Sequence, residues 1–157
     1  MFREMRRFKQ SLPKEEIEEI LAKEKRATLA VNGDDGYPYA IPIDFWYDPT
    51  ENKVFFHSAT AGYKTDAMNR CDKVCLTVCE QGVQKEDWSY HARSVVVFGR
   101  AKQLEDGERK RDKAKLFAMK YYPTEADVEA ELQKDFRRVA VWEISVEQMT
   151  GKRVHEK

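Results

Sequence analysis

Residues 53–64, Lys-Val-Phe-Phe-His-Ser-Ala-Thr-Ala-Gly-Tyr-Lys, bring a histidine, a hydroxyl and a lysine to one corner of the chain. Val54, Phe55 and Phe56 favour pleated sheet, so His57 and Ser58 fall at a strand's end. Ala59, Thr60, Ala61 and Gly62 are small enough for backbone to approach a ligand closely. Residues 63–70 are long enough for about two helical turns, whose free N–H groups face that loop. A helix N-terminus, a hydroxyl and Lys64 converging on one point form an anion site, most economically for a phosphate. The same small-residue corner also serves where a strand simply turns into a helix and binds nothing. On these residues alone both readings stand.

His57 is the one candidate reactive side chain. A histidine that closes a strand is either a hydrogen-bonded structural residue or, with its ordinary pKa near 6.5, a proton donor beside a ligand. No Ser-His-Asp order, paired carboxylates, Rossmann glycine fingerprint or P-loop accompanies it. Cys71, Cys75 and Cys79 repeat every fourth residue, a spacing that suggests a metal site. In a strand, however, Cys75 and Cys79 stand ~13 Å apart, at ~3.3 Å per residue. They are read as buried structural thiols, and no metal is expected.

The elements that must position this corner belong to one domain, residues 1–157. The chain is 36% charged with a formal net charge of zero, so no overall field draws it to nucleic acid or to a membrane surface. Its apolar runs are too short for a bilayer span and nothing resembles a signal peptide, so a cytoplasmic location is expected. Residues 1–10 read as a solvated basic arm. A helix is predicted over 13–25, strands over 27–31, 37–47, 53–58, 74–79, 94–101 and 138–146, and a helix between Asp106 and Tyr122. Pro42 requires an edge or an interruption in the second strand. Residues 105–136 form a helical insertion, in which Arg109, Lys110, Arg111, Lys113 and Lys115 read as a solvated face. Six strands in hairpin order do not alternate as βαβ units. They predict a mainly β fold with peripheral helices, a six-stranded antiparallel barrel.

The motifs also carry a resemblance. Residues 39–44 (Tyr-Ala-Ile-Pro-Ile-Asp) and 56–64 resemble the flavin-binding strand pair of the pyridoxamine 5'-phosphate oxidase-like split barrels. With residues 1–7, 33–39, 94–100 and 149–152, the chain resembles the nitroimidazole-resistance-related branch of that family. The resemblance implies a homodimeric FMN-binding split barrel with the flavin in a groove between subunits. Lys64 and Ser58 would hold the phosphate, with N–H groups of the Ala59–Gly62 loop. Ala40, Ile41 and Pro42 would run beside the isoalloxazine, with Phe56 and His57 nearby, and Trp88 and His91 are candidates to reach the partner's flavin. His155 reads as a frayed end. The oxidase itself has basic residues where Tyr39, Asp44 and Tyr63 stand here, and its C-terminal arginine segment has no equivalent. The implied function is therefore an FMN-dependent oxidoreductase acting on a small substrate, such as a nitroaromatic, and not oxidation of pyridoxamine phosphate. The alternatives are a flavin carrier or sensor without turnover, and a split barrel using haem or a deazaflavin.

Overall fold

The computed structural model describes residues 1–156. Its strands are β1 (Arg26–Asn32), β2 (Pro38–Asp44), β3 (Trp46–Asp48), β4 (Lys53–Ala59), β5 (Lys73–Cys79), β6 (Val83–Gln84), β7 (Tyr90–Gln103) and β8 (Val139–Glu156). Its α-helices are α1 (Lys14–Lys23), α2 (Tyr63–Arg70), α3 (Glu108–Met119) and α4 (Glu125–Asp135). All strand pairs are antiparallel, in the order β2-β1-β5-β7-β8-β4-β3, with β6 added to β7.

This is the expected split barrel, and the way it closes explains the strand count. The segment expected as one strand over 37–47 breaks at Phe45 into β2 and β3. Its first half pairs with β1 (Arg26 opposite Asp44) and its second with β4 (Trp46 opposite Phe55). One segment thus joins the two ends of the sheet. Pro42, opposite Thr28, lies on the terminal strand β2, where a missing donor is tolerated. The break strands the backbone groups of the fully buried Phe45, and residues just beyond α3 satisfy them. Tyr121 Oη accepts from the Phe45 N–H at 2.8 Å and lies within donating distance of the Phe45 and Lys25 carbonyls. Lys120 Nζ donates to the carbonyls of Leu21, Glu24 and Phe45 and sits 3.8 Å from the Phe45 ring centroid.

Strand alternation fills the interior. On β4, Val54, Phe56 and Ser58 point inward, while Phe55 and His57 point out. Trp142 on β8 stacks on Phe56 at 6.2 Å, and Leu29, Leu76, Val95 and Ile144 complete the packing, with Ile20 and Leu21 of α1 packed against it. Each such fully buried side chain contributes roughly 1.5–3 kcal/mol. At Gly99, where the β7–β8 register slips, a Cβ would stand 2.4 Å from the Ser145 carbonyl oxygen, so only glycine fits.

The basic cluster of α3 is the solvated face expected at Arg109 and Arg111 but not throughout. Lys110 and Lys113 are buried. Lys113 Nζ pairs with Asp48 at 2.9 Å and Glu51 at 2.7 Å, and Arg109 joins Glu51 to Glu143, each at 2.8 Å. These charges fasten the insertion to the β3–β4 hairpin. The cysteines also depart from expectation. Cys71 and Cys75 are half-buried and Cys79 is exposed, because β5 turns Cys75 and Cys79 to the outside of the barrel. His155 is paired within β8, stacked on His91 at 4.1 Å rather than frayed. Among the described residues, no helix is long and apolar enough to cross a membrane.

Candidate functional site

β4 runs out into the bend at residues 60–62, and α2 begins immediately after. Gly62 turns the chain there at φ 145°, a conformation that disfavours any side chain. No side chain caps α2, so its first-turn N–H groups stay available. Within that turn Lys64 is half-buried. Thr65 is buried, and its hydroxyl oxygen has no hydrogen-bond partner. An uncapped helix start, a lysine and an orphaned hydroxyl, here that of Thr65 and not of Ser58, are groups that could hold an anion. Tyr63 braces the corner from the side. Its hydroxyl accepts from the Asp34 N–H at 2.7 Å, and its ring packs on Tyr39 at 4.3 Å between centroids.

Two of the expected site residues turn the other way. Ser58 lies on the inward-facing parity of β4. Its hydroxyl accepts from Trp142 Nε1 at 3.0 Å and donates to the Ala59 carbonyl at 2.8 Å. Phe56 is a core residue, 1% exposed and stacked on Trp142. The resemblance implies Ser58 at the phosphate and Phe56 near the isoalloxazine; here both side chains face the barrel interior.

His57 has the opposite parity and lies at the surface, edge-on to Phe117 of α3 (5.0 Å, 74°). Withdrawal of water by these neighbours pushes its pKa below the ordinary 6.5; Asp44 opposes the shift and Lys64 adds to it. Asp44 is near because the break at Phe45 folds β2 back toward β4, and its carboxylate pairs with Arg26 at 2.8 Å. Neither Asp44 nor the insertion could be attached to His57 from sequence, since both connections depend on the closure of the barrel.

Beyond the corner, eight outward positions on four strands form an uncharged patch, with Arg26, Asp44, Lys73 and Arg100 at its margin. Ala40 and Pro42 of β2 stand opposite Ala30 and Thr28 of β1. Those two stand opposite Cys75 and Thr77 of β5, which face Phe98 and Val96 of β7. All eight are at least partly exposed. Phe2 of the N-terminal arm stacks on Phe98 at 5.4 Å. In a chain that is 36% charged, such a face suits a flat apolar group or another protein surface. Ile41 points to the core side, while Ala40 and Pro42 are exposed. Trp88 is exposed in the loop before β7, and His91 Nε2, near the start of β7, lies 3.0 Å from the Ser89 hydroxyl.

The family described as pyridoxamine 5'-phosphate oxidase matches residues 13–153. A candidate 5-nitroimidazole antibiotic resistance protein from Bacteroides thetaiotaomicron is similar at 25% identity and a TM-score of 0.77, over 93% of this chain and 87% of that one. A FAD-binding protein from Mesorhizobium loti shares the fold at 23% identity and a TM-score of 0.67, over 92% and 97%. A FAD and haem binding protein from Mycobacterium smegmatis does so at 20% identity and a TM-score of 0.70, over 92% and 72%. No curated protein matches the chain.

Proposed function

We propose, from the premise that this chain belongs to the pyridoxamine 5'-phosphate oxidase family, that it is an FMN-dependent oxidoreductase acting on a small substrate as a homodimer. One observation supports the reading: an uncapped α2 start with Lys64 and an orphaned Thr65 hydroxyl lies at the end of a sheet that carries an uncharged outward patch. The α2 N–H groups and Lys64 would hold the phosphate, the Ala40–Pro42 stretch would run beside the ring, and a second copy would cover the remainder of the face. Bound there, FMN supplies the electron-transfer chemistry, and the chain supplies binding, orientation and protons. His57 is the proton source. Its lowered pKa leaves it mostly neutral at pH 7, able to donate from one ring nitrogen and to accept at the other.

The relatives that bind FAD, or FAD and haem, define the arms of the test. The purified protein is expected to show flavin absorption, and after removal of the flavin to take up FMN more tightly than FAD. Sedimentation at low concentration is expected to give a dimer that FMN stabilises. Tighter uptake of FAD would replace FMN in this proposal. A haem Soret band, or no flavin uptake at all, would overturn it.

A further inference from the structure

The helical insertion does not lie flush on the barrel. Between α3, α4 and the outer faces of β4 and β8 it leaves a cavity of about 130 Å³. Its walls are apolar, with Phe117 and Ala118 from α3, Val128 and Leu132 from α4, and Val139 and Val141 from β8. The space exists because two wall positions one helical turn apart, 114 and 118, are alanines. Dry cavities of about 150 Å³ hold a benzene ring. The space here, open on one side, is of the size that suits a single ring. Polar groups in the lining are His57, Tyr122 and Glu131. Burial and the charge of Glu131 push the Tyr122 phenol up, so it stays a donor, and the Glu131 carboxylate disfavours an anion. A second, shallower pocket shares His57 and Val139 with this one and continues to Ser58 and Ala59, at the start of the anion corner. A molecule in the cavity is thus one imidazole away from the proposed flavin.

We propose that this cavity binds a neutral, single-ring aromatic molecule, with Ala114 and Ala118 setting the size limit and His57 and Tyr122 meeting its polar substituent. Binding stands without any cofactor; use of the cavity as the seat of the electron acceptor rests on the flavin reading. The test is saturation-transfer NMR on the protein as purified, with toluene, phenol and nitrobenzene as probes and benzoate as the charged control. The neutral rings are expected to bind saturably and benzoate at least tenfold more weakly. Ala118→Phe is expected to weaken the neutral rings at least tenfold while FMN affinity stays within twofold. Should that variant fail to fold by circular dichroism, Ala114→Leu fills the same space from the neighbouring turn. Absence of saturable binding by the neutral rings, equal binding of benzoate, or undiminished binding in the filled variant would each overturn the proposal. So would a filled variant that dissociates the dimer with ring binding unchanged, because the cavity would then seat a protein chain. Rings that bind to a protein refusing every flavin would sink the proposed function and leave this site standing.

Discussion

Lys64 is the residue on which the proposed site can be tested most sharply, because its charge has two separate readouts. It lies near enough to His57 to depress the imidazole, and it stands in the first turn of α2 where a phosphate would sit. Lys64→Gln removes the depressing charge, and Lys64→Glu replaces it with one that favours the imidazolium. The pKa of His57 is therefore expected to rise from wild type to Gln and again from Gln to Glu. Proton NMR titration reads this without any flavin, with His57→Gln assigning the resonance. FMN affinity is the second readout. A charge-assisted hydrogen bond is worth roughly 1.5–3 kcal/mol, and at 1.36 kcal/mol per decade its loss weakens binding about 10- to 150-fold. The glutamate adds repulsion against a dianion, so Lys64→Glu should fall at or beyond the upper end. Lys64 is only half-buried, at the surface end of α2, so the thermal midpoint should move little. An unmoved His57 pKa would refute the spatial argument. A shifted pKa with undiminished FMN affinity would keep the geometry and refute the phosphate clamp.

Ser58→Ala is expected to cost about 1–3 kcal/mol in urea unfolding, because it orphans the buried Trp142 N–H, while FMN affinity stays within twofold; a large affinity loss with little destabilisation would restore the hydroxyl to the phosphate site. Tyr121→Phe leaves the buried Phe45 N–H without its acceptor and should likewise cost about 1–3 kcal/mol; no measurable change would mean the break at Phe45 is satisfied otherwise. His57→Gln keeps size and hydrogen bonding but removes titration near neutrality, so FMN should still bind while anaerobic reoxidation of the reduced flavin by a nitroaromatic slows at least tenfold; an unchanged rate assigns His57 to structure. Hydrogen bonds from Arg109 and Lys113 hold Glu51 down to about 2 from its ordinary 4.5, and its neighbours Asp48 and Glu143 are lowered too. Depressed carboxylates stabilise fully above about pH 4.5 and lose that contribution as pH falls toward 2, so α3 should loosen over that window, before the barrel unfolds. Near-UV circular dichroism and Trp46 fluorescence would report it, and coincidence with global unfolding in every probe would refute the staged loss.

The barrel was legible because alternation is local: each strand announces its own inward and outward positions. That parity also bore on Ser58. Val54 and Phe56 are plainly core residues, and Ser58 shares their side of the strand, so its inward turn was available from spacing alone. What the sequence could not yield depends on distant pairing. No glycine or proline marks Phe45 as a break, because the cost of interrupting the ladder there is met by Tyr121 and Lys120, far along the chain. Lys113 of α3 looks solvated for the same reason, since its partners Asp48 and Glu51 belong to a remote hairpin. A charged helix face with acidic residues of its own gives no local sign that it is turned inward.

The closure at Phe45 also ties stability to the site. The contacts that patch the break come from the end of α3, and the opposite end of α3 is fastened by Arg109 and Lys113 to the β3–β4 hairpin. Between these anchors the helix presents Ala114, Phe117 and Ala118 to the sheet, so both the cavity and the edge contact on His57 exist only while both ends hold. Along the outer face of β4 the chain then passes from Phe55 beneath the insertion, through His57 at the rim, to Ala59 at the loop before α2. A ligand spanning the apolar cavity and the anion corner must cross the imidazole, and no other outward position on β4 between the two carries a titratable group. Loosening either anchor should therefore disturb the surroundings of His57 before it disturbs Lys64, which depends on α2 and not on the insertion.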